Sequence, residues 1–361
     1  MNEQLKLNDK YKKQKINRFV IKSFRSVTKC TSHDVTNICE DSFAKIDPSI
    51  SISDIEKIFY FIRKVLRNRY IRSNKFAERI YRGFQKILSK RYNESIFVIC
   101  MSAFSIDILG FYNSKGVKIA YIIDAWEDSI KYIAANIDTV DIVLMAYQDS
   151  INFLRKQISC RSIKKVYLFP NFIEPAVYPK KAPNKLYDII QVGRRNDILH
   201  QWAIKYSTEK KRSYLFKKRN QRGMYYLEDR NWEGSNFQLS YPSLVETLAR
   251  SKIALVSPPD TTSSKRTGRI SPLTHRYLEA GMCYAVPVGF TPTGGEYKKF
   301  FPKTFTIVPK NYREFEDICD RLIKDDNLRL KITNSNRKYV MINHTVEIRY
   351  KQLLQILANY K

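Results

Sequence analysis

Short apolar runs alternate with helix-length amphipathic stretches along most of the chain. Runs at 96–101, 117–123, 141–145 and 164–168 have the length of strands buried on both faces, and an earlier strand is expected at 18–22. Between them, 126–137 and 147–158 carry helical periodicity. Strand and helix taking turns predicts a parallel sheet covered on both faces. The pattern restarts further on, with strands expected at 187–192, 253–257, 284–288 and 304–308 and helices at 242–250 and 272–281. Three helix-like stretches, 312–323, 327–340 and 345–359, close the chain.

The two series are separated by "FPNFIEPAVYPKKAPNK", where Pro170, Pro175, Pro179 and Pro183 fall too close together for a helix or a central strand. The expected fold class is therefore α/β, with two Rossmann-like α/β/α domains joined by a proline-rich linker and facing across a cleft. Ligands of open α/β sheets bind at the carboxyl ends of the strands. A chain of 361 residues is long enough for two such cores, and 43% apolar and 13% aromatic residues exclude disorder. The apolar runs fall short of a membrane span. The first residues, "MNEQLKLNDKYKKQKINRF", lack the apolar stretch of a secretory signal, so a cytoplasmic location is expected. Cys30, Cys39, Cys100, Cys160, Cys283 and Cys319 form no C-x-x-C pair, and His33, His200, His275 and His344 are scattered, which argues against a zinc site.

A net charge of +29 changes the picture because it is local. Residues 1–92 hold 22 Lys/Arg against 9 Asp/Glu, whereas 93–170 hold 8 against 8. Within 54–91, two amphipathic helical segments are expected, with Phe76, Ile80, Phe84, Ile87 and Leu88 at helical spacing. Arg63, Lys64, Arg67, Arg69, Arg72, Lys75, Arg79, Arg82, Lys86, Lys90 and Arg91 fill their other faces. Such a surface is either a solvated outer face or a face for an anionic membrane or polymer.

Candidate chemistry concentrates after the linker. In "YDIIQVGRRND", Gly193 follows a buried strand where the backbone must turn, and Arg194 and Arg195 come next. Guanidinium groups there suit a phosphate or carboxylate, or simply solvate a loop. In "GRISPLTHRYLEAGMCYAVPVGF", Ser271 before Pro272 is expected to cap a helix, with Thr274 in its first turn. His275, Arg276 and Glu279 then share one side, near a helix start that attracts anions. Glu279 can accept bonds from ribose hydroxyls, or it can pair with Arg276 alone. The polar segment 258–269, with Lys265, Arg266 and Arg269, is expected to be a mobile loop ordering over phosphates, while His200 and His344 are read as structural.

The segments "VGRR", "LARSKIALVSPP" and "RYLEAGMCYAVPVG" together resemble the donor domain of GT-B-fold glycosyltransferases of the group-1 kind. The resemblance implies that Arg194 contacts the donor diphosphate and Glu279 the nucleotide ribose. "NFIEPAVYP" is similar to the passage that closes the first domain in such enzymes, and the last helix would return to that domain. The implied organisation is an acceptor-side domain at 1–172, a linker at 173–184, a nucleotide-sugar domain at 185–342 and a returning helix at 343–361. Ser271 stands where one branch keeps a glutamate, Arg195 where a lysine is common, and Tyr284 where a small residue is common. The R-x-x-E with "AVPVG" is also similar to exostosin-like enzymes.

No D-x-D triplet occurs, and the closest acidic group is "DAWED" from Asp124 to Asp128. A metal-independent transfer is therefore expected, with cations and a helix start stabilising the departing diphosphate and no cofactor beyond the nucleotide-diphosphate sugar as co-substrate. Asp124, at the end of "KIAYIID", is either a base for the acceptor hydroxyl or a helix cap; Trp126 can stack on a sugar, and Asp107 is a weaker rival base. The expected activity is transfer of a sugar to a hydroxyl of a glycan, lipid-linked or polymer acceptor in surface polysaccharide or glycoconjugate synthesis, possible on the inner face of the membrane through 54–91. The alternative is a non-catalytic basic protein binding nucleic acid or an acidic polymer. The neutral stretch 93–170 and the lack of a nucleic-acid motif weigh against nucleic acid.

Overall fold

The computed structural model describes residues 19–28, 34–66, 75–159, 162, 165–219, 225–229, 237–238 and 240–360. Cys30, His33, Arg67, Arg69, Arg72 and Cys160 lie outside them. The chain divides into two compact units. One comprises Met1–Ala125, Ser129–Pro170 and Arg349–Lys361; the other comprises Trp126–Asp128 and Asn171–Ile348.

The first unit is built on β1 (Phe19–Ser23), β2 (Ser51–Asp54), β3 (Lys90–Tyr92), β4 (Ser95–Ser102), β5 (Tyr112–Ser114), β6 (Lys118–Asp124), β7 (Ile142–Met145) and β8 (Val166–Leu168). Six of these form a parallel sheet in the order β2-β1-β4-β6-β7-β8, and β3 pairs with β5. The five runs read as buried strands are β1, β4, β6, β7 and β8. Edge strand β2 has the sequence SISD and carries one apolar residue. The basic stretch is shorter in helix than its pattern predicts. Asp54 ends β2, Lys90 and Arg91 belong to β3, and the helices span Lys57–Leu66 and Lys75–Ile87.

Both helices are fastened to a buried 3₁₀ segment, Ala103–Phe111. Arg63 Nε donates to Asp107 Oδ1 at 2.8 Å and Tyr81 Oη to Asp107 Oδ2 at 3.0 Å, while Gln85 Nε2 donates to the Asp107 carbonyl at 2.7 Å. Arg63 also reaches the Phe104 carbonyl. Burial alone would lower the Arg63 pKa, but Asp107 holds it above its ordinary value. Arg63 is thus not a surface charge, and Asp107, 1% exposed, is an anchor and not an acceptor-facing base. At the chain's end, Arg349 Nε donates to the Pro170 carbonyl at 2.9 Å and Gln352 Nε2 to the Leu168 carbonyl at 2.8 Å. These bonds fix the helix Val346–Asn359, from Arg349 on, at the carboxyl end of β8. Burial brings the Arg349 pKa down to about 10.

The second unit is built on β9 (Tyr187–Gln191), β10 (Tyr214–Arg219), β11 (Tyr225–Asp229), β12 (Phe237–Gln238), β13 (Ser251–Val256) and β14 (Val286–Gly289), in the order β12-β11-β10-β9-β13-β14. Strands β10, β9, β13 and β14 are parallel, whereas β11 and β12 add an antiparallel extension absent from the sequence reading. The strand expected at 304–308 reduces to a bridge between Ile307 and Val288. One face of the sheet buries Ile189, Leu255 and Val288 against Leu199, Tyr206, Phe315 and Leu322. Each such side chain contributes ~1.5–3 kcal/mol of burial. Strand β9 leads to β10 on one side and has β13 on the other. Their onward connections run in opposite directions, and open α/β sheets bind ligands at the carboxyl ends of strands where the order reverses in this way.

Candidate functional site

At that strand end β9 is followed by Val192, which is buried, and Gly193, which is exposed with φ +90°. L side chains rarely adopt this φ, so a glycine permits the turn. Asn196 then caps the helix Asp197–Lys210, its Oδ1 accepting from Leu199 N at 3.0 Å. Arg195 makes an exposed ion pair with Asp197 at 3.5 Å, a contact that contributes little. The Arg194 guanidinium lies over the Trp126 ring, 4.4 Å from its centroid, and that of Arg266 lies 4.5 Å from the same centroid. Trp126 is fully buried, so the expected sugar-stacking platform is instead a packing surface for two arginines.

The segment after β13 also departs from expectation. Residues Asp260–Thr267 form a helix kinked at Ser263, not a loop. Arg266 Nε pairs with Asp128 at 3.2 Å, and Glu127 Oε2 accepts from Arg269 N at 2.7 Å.

The helix expected to start at Pro272 begins at His275 and runs to Met282. Its N-cap, Thr274, makes no side-chain capping bond. Ser271 does not cap it: Ser271 Oγ accepts from Thr293 N at 3.0 Å, tying the helix approach to the segment after β14. Asn171, the asparagine of "NFIEPAVYP", donates from Nδ2 to the Leu273 carbonyl at 2.9 Å. These tertiary bonds engage Ser271 and Leu273 outside the helix, which starts one turn later than expected. Burial lowers the His275 pKa, against the opposing pull of Glu279 and a bond with the Phe172 backbone, so the imidazole is neutral at pH 7.

Glu279 is 2% exposed. Its Oε1 accepts from Tyr241 Oη at 3.0 Å, and Tyr241 Oη lies 2.8 Å from Tyr178 Oη. Burial pushes both phenols well above their ordinary pKa, so both keep their protons as donors. Arg276 Nη1 stands 2.7 Å from Glu279 Oε2. The two groups meet off the line of a hydrogen bond. As a result, the buried Arg276 Nε and Nη1 and Glu279 Oε2 have no hydrogen-bond partner. A Cβ at Gly193 would stand 3.7 Å from Arg276 Nε and Nη2. The fold therefore gathers Gly193, Arg276 and Glu279 at one strand end, with unused donors and an unused acceptor side by side. Such groups are costly to bury, and a polar ligand could satisfy them.

In the first unit, Asp124 is the last residue of β6, opposite Ser102 of β4, and is half-buried. The following helix starts at Glu127. Sequence reasoning missed a second polar cluster. Lys22 Nζ and Lys90 Nζ stand 3.2 and 3.1 Å from Glu56 Oε1, and Tyr112 Oη donates to Glu56 Oε2 at 2.6 Å. Burial would raise the Glu56 pKa, but these donors bring it down to about 2. Lys22, Asp54, Glu56, Lys90 and Tyr92 line a cavity of about 670 Å³. Its residues come from three separate segments, so no local motif announces it. His200 and His344 are buried, His200 Nδ1 2.8 Å from Tyr214 Oη and His344 stacked on Phe301 at 4.9 Å.

Residues 213–355 match a family model described as glycosyl transferase-like. No curated protein matches the sequence. Among solved structures, a point mutant of S. aureus TarM in complex with fondaparinux, alpha-GlcNAc-glycerol and UDP is similar with a TM-score of 0.51 at 15% identity, over 72% of this chain and 55% of that one. This chain thus spans little more than half of TarM. Anabaena HepE in complex with UDP aligns over 94% of this chain and 98% of its own, at 10% identity and a TM-score of 0.51. HepE with UDP and glucose gives 0.52 at 9% identity, over 95% and 99%. The fold is that of GT-B glycosyltransferases.

Proposed function

We propose that the protein transfers a sugar from a nucleotide-diphosphate sugar to a hydroxyl of a glycan, lipid-linked or polymer acceptor. One observation carries this reading: the unfilled hydrogen-bonding capacity of Arg276 and Glu279 beside the Gly193 turn. Glu279 Oε2 offers lone pairs to ribose hydroxyls while Tyr241 holds the other oxygen. Arg276 Nε and the uncapped start of the helix His275–Met282 offer N–H groups to the diphosphate. Thr274 stands at that helix start and the neutral His275 next to it. Arg194 and Arg195, both exposed, add positive charge at the same strand end. UDP in the TarM and HepE structures supports a nucleoside diphosphate as the leaving group.

In the proposed reaction the acceptor hydroxyl oxygen forms a bond to the anomeric carbon, and the bond from that carbon to the diphosphate breaks. The leaving group's charge falls to Arg276 and the helix start, so the reading is metal-independent, in keeping with a sequence lacking D-x-D. Asp124, at the carboxyl end of β6, is proposed to receive the hydroxyl proton or to orient the acceptor. A thermal-shift screen with UDP, GDP, CMP and dTDP sugars tests this reading. At least one nucleotide is expected to raise the unfolding temperature, because it binds only the folded state. A flat profile across all four, with saturable binding to RNA, would instead support a basic binding protein.

A further inference from the structure

The helices Lys57–Leu66 and Lys75–Ile87 each present two apolar faces. The inner faces serve the core: Phe59 stacks on Phe111 at 4.6 Å, Ile62 is buried, and Tyr81 packs edge-on to Phe111 at 5.6 Å. The outer faces are open to solvent. Ile58, Phe61 and Val65 are 53%, 61% and 45% exposed on the first helix. On the second, Phe76, Ile80, Phe84 and Ile87 are 69%, 37%, 40% and 81% exposed. Steps of three and four residues put each set on one stripe. Half of the strongly exposed large apolar side chains among the described residues fall on these two helices. Scattered exposed apolar residues are normal, but a contiguous group marks an interaction face.

The charge beside the stripes identifies the partner. From 57 to 87 the chain has ten Lys/Arg and one acid, Glu78. Arg63 is committed to Asp107, and Arg82 to Glu78 and Asn136. Lys57, Lys64, Arg79 and Lys86 are exposed next to the apolar positions. A second copy of the chain would set two strongly cationic faces against each other, and an acidic polymer would leave the apolar stripes in water. No helix among the described residues is long and apolar enough to cross a membrane. We propose that this helix pair docks in the plane of an anionic lipid bilayer, with its apolar stripes among the acyl chains and its lysines and arginines at the headgroups. This inference does not rest on the donor-site reading.

Co-sedimentation with vesicles tests it. The full chain is expected to bind phosphatidylcholine vesicles containing about one-third phosphatidylglycerol and to bind pure phosphatidylcholine at least ~10-fold more weakly. The variant Phe61→Ser/Phe76→Ser/Phe84→Ser is expected to lose at least ~10-fold of that affinity through lost acyl burial. Lys64→Ser/Arg79→Ser/Lys86→Ser is expected to lose ~5-fold per cation. All three apolar positions are exposed, so the unfolding temperature and nucleotide binding are expected to stay as in the parent protein. Unchanged vesicle binding by the phenylalanine variant would overturn the proposal. So would self-association that those substitutions abolish in a protein that ignores vesicles.

Discussion

Arg63 with Asp107 in the first unit and Arg276 with Glu279 in the second are built from the same parts. Each carboxylate faces a guanidinium and accepts from a tyrosine hydroxyl at 3.0 Å, Tyr81 in one case and Tyr241 in the other. They differ in what surrounds the arginine. Arg63 makes an aligned bond to a carboxylate 44 residues away and a second one to the Phe104 carbonyl, so its donors hold helix to core. Arg276 meets a carboxylate only three residues away, off the line of a hydrogen bond, and keeps unused N–H groups at the end of a strand. Burial and an ion pair alone do not mark a site; the proposed donor site rests instead on polar groups left unfilled at the carboxyl edge of a parallel sheet.

The largest effect separating the two pairs is on stability. Asp107→Ala leaves Arg63 buried without its partner and is expected to cost ~3–5 kcal/mol in chemical denaturation. A loss below about 1 kcal/mol would reduce the anchor to an ordinary surface contact. Glu279→Gln should act on binding instead. The amide carbonyl still accepts from Tyr241, so stability is expected to change little, while nucleotide affinity falls by ~1.5–3 kcal/mol, the worth of a bond to a charged group. Equal losses of stability in the two variants would erase the distinction drawn here.

A third variant probes the other cluster of the first unit. The folded pKa of Glu56, about 2, lies below its ordinary value, so its contribution is fully present above about pH 4.5 and is lost as pH falls towards 2. Glu56→Gln is expected to flatten acid unfolding between these limits by ~1–2 kcal/mol, reduced by the partial solvation of the site. Identical acid profiles for the two proteins would rule out a linkage at Glu56. The smallest effect is expected from Gly193→Ala, where φ +90° strains an alanine by ~1 kcal/mol and the added methyl meets Arg276 only at ordinary contact distance. A stability loss with unchanged nucleotide affinity would confine Gly193 to the fold.

Fully buried parallel strands were legible because they read as continuous apolar runs, and β4, β6, β7, β9 and β13 are of that kind. Strand β2, with the sequence SISD, and the antiparallel β11 and β12, with YYLED and FQ, were not, because none of them carries such a run. At the candidate site, the Gly193 turn and the Arg276–Glu279 spacing are local, and both could be read from the chain. Ser271 looked like a cap because capping chemistry is also local, but a bond from Thr293, 22 residues on, claims its hydroxyl. Asp107, Trp126 and the Glu56 cluster depend on partners far away in sequence, which periodicity does not encode.

In the proposed donor site, Arg276 and Glu279 meet a nucleoside diphosphate. Its most direct test is calorimetric titration of the full chain and of Arg276→Ala with the diphosphate that stabilises the protein most, and with the matching nucleoside. The diphosphate is expected to bind the parent protein saturably and the variant at least ~10-fold more weakly, with the nucleoside bound alike by both. Equal diphosphate affinity in the two proteins would contradict it.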